Sequence, residues 1–496
     1  MPLYRQIYEQ VKNLIYNGSY QAGSKLVPIR RLAEELKISR NTVEAAYLQL
    51  TSEGYVSSRT GSGFTVEALE LEKSNAQSTP NRNSEEFLDC LQQAGIWSAN
   101  SDQTDSAKSV SLNSTGIVGQ VINSADCQSK AIYYDFTYGD LENRSFPSQI
   151  WRKLTAEVLS NKGDHLANSY TDRLGERGLR SQIANYLHIN AGVNCHPAQI
   201  VIQPGTQLSL HNLLTLFDPF KDIVAMEQPG YKGVISVIKN NHFKIFPIPV
   251  YDGNDAIIEA LYNSHARLAF MTPSNQFPLG EILPMVTRQR LLRWAIEKDT
   301  FIIEDDYCRE YRYNTSPLPS LQALDNKDRV IYMGTFSKAI SPSLRLNYLV
   351  LPPDLLFEWN RVFDHNYAAV PWLIQAVLEE YMKQGFWEKR LRKMQTVNKR
   401  KFLTLKNALR KHMGSRVDIR ESGSGLHLLV GDKLGRNQST LIDLAKEQGV
   451  SVYETNCCWL SDQHPMQNYV LVGFSAIPEA DIESGIKLLA NAWFAD

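Results

Sequence analysis

The chain has 496 residues, too many for one hydrophobic core and enough for about three domains at ~150 residues each. Hydrophobic residues make up 43% and charged residues 21%, so most of it is expected to be globular. A formal net charge of −1 excludes a chain that is basic throughout, and any nucleic-acid surface must be local. The six cysteines (Cys90, Cys127, Cys195, Cys308, Cys457 and Cys458) form no CxxC pair and no spacing suited to zinc, a scatter that fits a reducing cytoplasm. No metal site is expected. The N-terminus lacks the apolar core of a signal peptide, and no apolar run approaches the ~20 residues needed to span a bilayer. The expectation is a soluble, cytoplasmic protein with no membrane partner.

In chain order, Ile7, Val11, Leu14 and Ile15 fall at helical spacing and predict a first amphipathic helix. Pro28 opens PIRRLAEEL, as suits a first helical turn. KISRNTVEAAYLQLTSEG then predicts a helix capped by Ser39, with Val43, Ala46, Tyr47 and Leu50 buried and Gly54 at its end. YVSSRTGSGFTV reads as a β-hairpin whose tip holds Arg59, Thr60, Gly61, Ser62 and Gly63. Three helices and a hairpin make a winged helix-turn-helix. Its second paired helix would enter the major groove of double-stranded DNA, with the wing along the backbone. Contacts are expected from Arg30, Ser39, Arg40, Asn41, Thr42, Arg59, Thr60, Gly61 and Ser62. Arg40 and Asn41 can read base edges bidentately, whereas Thr42 and Ser62 suit phosphates. A small helical domain that binds protein is the plainer alternative.

The stretch RRLAEELKISRNTVEAAYLQLTSEGYVSSRTGSGFTV resembles the DNA-binding domain of GntR-type regulators over nearly its whole length. That family usually has Leu-Pro-Ser before the first arginine's turn, where this chain has Leu26-Val27-Pro28. Any phosphate contact from that serine is missing here.

Residues 69–130 shift to Ser, Asn, Gln, Asp and Ala. Such a segment cannot bury enough apolar surface to offset its ordering entropy, so it reads as a flexible linker between a head at 1–68 and a body at 131–496. A short helix is expected within it at 86–97. In the body, QIVIQP, DIVAMEQ, RLAFMTP, TFIIEDD and RVIYMG alternate with segments of helical period, which predicts an α/β domain with a mostly parallel sheet. Lys338 follows the apolar run VIYMGTF, which reads as one of these buried strands. An ordinary exposed turn lysine is the plain alternative.

The pieces YTDRLGERGLRSQIANYL, QPGTQLSLHNLL, EQPGYKGV, TPSNQFPLG, IIEDDYCREYRY and GTFSKAISPSLR occur in the order found in fold-type I aminotransferases. The resemblance spans roughly residues 132–493. It implies pyridoxal 5'-phosphate (PLP) as cofactor. The aldehyde of PLP needs an amine to hold it as a Schiff base, the role implied for Lys338. Asp305 would face the pyridine nitrogen, Tyr307 would hydrogen-bond the ring's 3-oxygen, and Tyr231 would stack on the ring. The phosphate would take backbone N–H groups from Gly205, Thr206 and Gln207, with Thr335, Ser337 and Arg345 around it. Tyr170 resembles the tyrosine that reaches the phosphate from a partner subunit, which requires a dimer. Asp305 and Asp306 as solvated turn residues, and Tyr231 as core, are the plain alternatives.

A winged helix fused to such a domain resembles the MocR subfamily of GntR regulators, in which the large domain binds PLP and senses an effector. Two departures speak against efficient transamination. Where working enzymes carry Asn-Pro-x-Gly, this chain has Phe277-Pro278-Leu279-Gly280. Where they carry a carboxylate-clamping arginine in the C-terminal strand, NYVLVGFSA places Leu471. Another arginine, with Arg420 a candidate, would have to approach from elsewhere. The resemblance implies a head-to-tail homodimeric, operator-binding regulator sensing PLP or an amine that reacts through the Lys338 aldimine. A true aminotransferase with an accessory head, or a repressor with a cofactor-free scaffold, are the other readings.

Overall fold

The structure, a computed structural model, describes residues 3–16, 20–35, 38–59, 63–67, 132–313, 318–420 and 423–494. The linker and the helix expected at 86–97 lie outside these residues, as do Thr60, Gly61 and Ser62 of the hairpin tip. No helix among the described residues is long and apolar enough to cross a membrane.

The head forms α1 (Leu3–Tyr16), α2 (Ile29–Glu35), α3 (Arg40–Ser52) and the antiparallel pair β1 (Val56–Arg59) and β2 (Gly63–Val66). Ile7, Val11 and Ile15 of α1 meet Val43, Ala46, Tyr47 and Leu50 of α3 in one core. Leu14, expected on the buried face, is 38% exposed. A stripe of three residues at i, i+4 and i+8 already covers α3, and Leu14 falls outside it. Gly54 ends α3 with φ at +76°, where a side chain would be strained. The Tyr47 hydroxyl donates to the Val27 carbonyl at 2.8 Å, which ties the Leu26-Val27-Pro28 stretch to α3.

The body is built on seven strands ordered β4-β10-β9-β8-β7-β5-β6. They are preceded by β3 (Tyr134–Asp135), which pairs elsewhere with β13 (Val450–Ser451). The seven are β4 (Ile200–Gln203), β5 (Ile223–Gln228), β6 (Lys244–Pro249), β7 (Leu268–Met271), β8 (Phe301–Asp305), β9 (Val330–Thr335) and β10 (Asn347–Val350). Strands β4, β7 and β8 are buried along their whole length, as continuous apolar runs in a helix-covered parallel sheet require. Only β10 runs against its neighbours. Its first residue therefore lies on the edge where the parallel strands end, and the loop before it reaches that edge.

A second sheet, ordered β11-β12-β15-β14, is antiparallel throughout: β11 (Val417–Arg420), β12 (His427–Asp432), β14 (Tyr453–Glu454) and β15 (Tyr469–Gly473). Its residues share one apolar cluster with the helices Phe386–Met413 and Glu479–Phe494.

The core of the head does not close on itself. It takes in Met285, the first residue of the helix Met285–Glu297, and Leu318, which are 0% and 1% exposed. The Met285 N–H donates to the Glu53 carbonyl at 3.2 Å. Below it, the buried Glu53 carboxylate accepts from the Tyr8 hydroxyl and the Gln49 amide. Truncating Met285 to alanine removes a fully buried side chain, a change that costs about 2–5 kcal/mol in well-packed cores. Calorimetry of Met285→Ala is expected to resolve a separate, earlier transition for the head; an unchanged single transition would show that this contact does not join the two.

Candidate cofactor site and DNA-binding face

The edge where β4, β5, β7, β8 and β9 end collects the expected cofactor residues, as ligand sites of open α/β sheets do. Asp305 closes β8 and is buried, and its Oδ1 has no hydrogen-bond partner. Burial is the main cause that lifts its pKa from 3.8 to about 7; Asp306 and Glu227 add to the rise and Lys338 opposes it. Lys338 follows β9 and is no exposed lysine. Burial pulls its amine below the ordinary range. Its Nζ lies 3.4 Å from the Gly139 carbonyl and 4.5 Å from the centre of the Tyr138 ring. The Tyr311 hydroxyl fixes the Lys338 carbonyl at 2.6 Å.

The phosphate-type cradle is equally explicit. Gly205, at φ +94°, precedes the helix Thr206–Leu214, whose first N–H groups have no intrahelical partner. A Cβ at Gly205 would lie 2.4 Å from Nη2 of Arg345, so the guanidinium lies directly over that helix start. Arg345 itself adopts φ +48°, just before β10. Thr335 ends β9 and its hydroxyl accepts from the Ser337 N–H at 3.1 Å. Gln207 and the Tyr231 ring are the atoms a Cβ on Gly233 would strike, which places them together. Tyr231 is 39% exposed, with its ring edge-on to Phe277 at 5.8 Å.

Tyr307 is buried and bonded at both ends of one exchange. Its hydroxyl donates to the Asn275 carbonyl at 2.8 Å and accepts from Asn275 Nδ2 at 2.8 Å. Ser424 donates to Asn275 Oδ1 at 2.9 Å. An asparagine is therefore held beside Tyr307 from the front of the TPSNQFPLG loop, although Phe277 stands at the position where the family pattern has one. Tyr170 is apart from the other residues of the chain's own site: it is 79% exposed and stacks on Tyr367 at 3.9 Å. Arg420 stands opposite Leu429, which is itself opposite Leu471, so the three share one cross-strand row and one face of the second sheet. Arg420, on β11 and two strands from Leu471, lies over the Tyr469 ring at 5.5 Å.

Asp306 is a buried structural anchor and not a solvated turn residue. It accepts from Arg309 Nη1 at 3.2 Å and the Tyr332 hydroxyl at 2.9 Å. Glu304 accepts the N–H groups of Leu321 and Gln322 at 2.8 and 3.0 Å and faces the fully buried Arg288 at 3.8 Å. Arg309 in turn donates to the Leu318 carbonyl at 2.9 Å, and Arg288 to those of Pro273, Leu283 and Pro319. Sequence reasoning also missed Glu227. It is buried under the same edge, accepts from Thr272 and Gln276, and is raised by burial to about 7.

On the head, Ser39 caps α3 by accepting from the Thr42 N–H at 3.2 Å, and its hydroxyl lies 2.7 Å from that of Thr42. Arg30, Arg40 and Asn41 are exposed, so the start of α3 offers an arginine and an amide side by side. Arg59 ends β1 at the base of the hairpin tip.

The residues fit PLP on the molecule's own terms: a buried carboxylate oxygen without a donor, a lysine buried nearby, and a glycine-floored helix start under a guanidinium. Replacing Gly205 with alanine should displace Arg345 and strain the backbone, weakening PLP binding at least about tenfold, the equivalent of 1.4 kcal/mol; fluorescence titration checks it. In Asp305→Asn, apoprotein stability and PLP affinity are expected to move in opposite directions. Below pH 4 the carboxyl is protonated folded and unfolded, and the two proteins are alike. Between about 4 and 7 only the unfolded wild type ionises, so wild-type apoprotein loses stability relative to the variant, by up to about 4 kcal/mol. Denaturant unfolding at pH 5 and 8 is expected to show the variant's advantage growing with pH while its PLP affinity falls.

Residues 3–66 match the bacterial regulatory proteins of the gntR family, and residues 134–486 match aminotransferase class I and II. An uncharacterized HTH-type transcriptional regulator of Bacillus subtilis (strain 168), YdeL, is 35% identical over 99% of this chain and 97% of its own length. The probable rhizopine catabolism regulatory protein MocR of Rhizobium meliloti is 32% identical over 100% and 94%. Among solved structures, the α-aminoadipate aminotransferase LysN of Thermus thermophilus, complexed with N-(5'-phosphopyridoxyl)-L-leucine, is similar at a TM-score of 0.65 and 25% identity. The match covers 72% of this chain and 91% of that one. The aminotransferase match implies PLP as the cofactor. With a GntR head and a fold-type I body joined in one chain, and relatives of the same build along its whole length, the chain belongs to the MocR subfamily of GntR-type transcriptional regulators.

Proposed function

We propose that this regulator binds operator DNA through α3 and its wing, and that its body senses PLP itself or an amine that joins PLP at Lys338. The observation that carries the reading is the unpartnered Oδ1 of Asp305 facing the site that holds Lys338 and Arg345. When bound, PLP supplies an electron-withdrawing ring and an aldehyde open to amines. In this reading the residues divide the work. Asp305 accepts from the ring nitrogen, Tyr307 and Asn275 orient the 3-oxygen, Tyr231 covers a face, and Gly205, Thr206, Gln207, Thr335, Ser337 and Arg345 hold the phosphate. Lys338 anchors the aldehyde carbon. Leu471 in the position noted above supports sensing over turnover, whereas Asn275 offsets the departure at Phe277.

The connection to the head supports a readout as well. Asp305 lies between Glu304 and Asp306, and these two hold, through Arg288 and Arg309, the carbonyls of Leu318 and Pro319 and the loop before Met285. Leu318 and Met285 are the body residues inside the head's core. A change at Asp305 thus has two short, buried routes to the head, provided ligand binding differs between two arrangements of that contact. In this reading the protein acts in the cytoplasm as a head-to-tail homodimer, with the exposed Tyr170 reaching the phosphate of the partner's site, domains divided at 68 and 130, and the intervening segment letting the heads reposition.

The test joins the two ends of the molecule. Adding PLP is expected to produce a visible absorption band in wild type that Lys338→Ala lacks, and ligand-dependent DNA affinity at fixed salt that the variant also lacks. If neither protein forms the band, the body is a scaffold; sustained turnover of an amino donor with a keto acid would make it an enzyme. On the DNA side, Arg40→Ala should cost about 1–3 kcal/mol and relax preference at one base position, as loss of a bidentate base contact does.

A further inference from the structure

The face of the second sheet that looks at Lys338 can be read residue by residue. In the β12–β15 ladder, Leu429 is opposite Leu471 and His427 is opposite Gly473. Residues opposite each other or two apart along a strand share a face, so these four side-chain positions form one patch. The patch packs on the segment beside Lys338, because a Cβ on Gly473 would strike the Thr137 carbonyl at 2.2 Å and Tyr138 Cα at 2.9 Å. The place from which an arginine would clamp a carboxylate is thus filled by Leu471, 4% exposed. Polar groups on this face include His427 and, opposite Leu429 on the neighbouring strand, Arg420, whose guanidinium is turned over the Tyr469 ring at 5.5 Å.

His427 is buried and held in one orientation. Its ring is edge-on to Tyr138 at 4.9 Å and to Phe277 at 5.4 Å, and Tyr138 carries the Lys338 amine over its face. Its Nε2 is 2.7 Å from the Pro278 carbonyl, an acceptor, so Nε2 bears the proton. Nδ1 has no partner and no access to water. Burial, with Lys338 close by, lowers the imidazole to about 4, so the ring is neutral at physiological pH and Nδ1 presents a bare lone pair. An unpaired buried acceptor is costly, and a donor on a ligand relieves it.

Resting on the sensing function proposed above, we infer that the effector pocket selects primary amines that carry a hydroxyl donor and no carboxylate, and that His427 Nδ1 is the group that reads the hydroxyl. A carboxylate brought beside Leu471 and His427 would meet a leucine and a lone pair, with Arg420 held over the Tyr469 ring, leaving its charge unpaired. An amine without the hydroxyl would leave Nδ1 as it is. The amine end reacts at Lys338's cofactor; the hydroxyl end sets which amine is kept.

The test uses full-length, PLP-loaded protein and three amines of one length: 3-aminopropan-1-ol, propylamine and β-alanine. The absorption shift and the change in DNA affinity are followed for each. The amino alcohol is expected to act at concentrations at least about tenfold lower than either of the others, one hydrogen bond's worth of discrimination. In His427→Phe, whose cofactor band reports that it has folded, the gap between amino alcohol and propylamine should close. Leu471→Arg gives an independent arm, in which β-alanine should become the preferred amine. Equal or better action of β-alanine on wild type overturns the inference and points to Arg420, on the same sheet face, or to Arg390, whose buried Nη2 also lacks a partner. An unchanged preference in His427→Phe overturns it too. If PLP binds but no amine shifts the spectrum, the inference fails while PLP sensing stands. If wild type shows no PLP band, the failure is that of the sensing function itself.

Discussion

Three successive carboxylates at the end of β8, all shielded from water, govern the arrangement of the body. Burying ionised groups is expensive unless each finds partners. Glu304 and the Oδ2 of Asp306 find theirs in Arg288, Arg309, Tyr332 and two backbone N–H groups, though Asp306 Oδ1 has none, and in doing so draw in the loops that carry Leu318 and Met285. Asp305 points the other way, as the alternation of a strand requires. Its neighbours therefore serve as a rigid mount for the one carboxylate held open toward the ligand edge, and the same mount shapes the platform that receives the head.

In the proposed reading the site keeps what is needed to hold a cofactor and differs where the family pattern holds an amino-acid substrate. Gly205, Arg345, Asp305 and Lys338 are positioned as a complete set. Leu471, Phe277 and His427 on the facing side make a largely apolar surface with one fixed acceptor, and Arg420 on the same sheet face is turned over the Tyr469 ring. A fold supplies a position and the side chain at that position supplies the chemistry. Here a leucine, Leu471, stands where the family pattern has a carboxylate-clamping arginine.

Much of this was legible in the residues. The apolar runs around Ile200, Ile223, Leu268, Phe301 and Val330 are strands, and Ser39 and Gly54 bound α3 as their chemistry suggests. Local signals sufficed because strand burial and helix caps are written within a few residues of where they act. Direction is different: that β10 runs against its neighbours, and so delivers Arg345 to the ligand edge, follows from chain path and not from NYLV itself. Glu227, Asn275 and His427 escaped notice because nothing adjacent in sequence marks them. Their partners Thr272, Ser424 and Pro278 are 45 or more positions away. Leu14 went wrong for the converse reason, since helical spacing says which residues line up but not how wide a stripe the neighbouring helix covers.

The unpartnered Asp305 oxygen has one more consequence, for how much of the protein exists. A ligand that binds only the folded chain raises its stability in proportion to the logarithm of occupancy. A fold that holds an unsatisfied buried carboxylate when empty has correspondingly more to gain from being filled. Empty chains would then visit unfolded forms more often and be cleared faster by proteases. Scarcity of cofactor would lower the number of regulator molecules together with the liganded fraction of those that remain, so that abundance and occupancy report the same nutrient on two timescales.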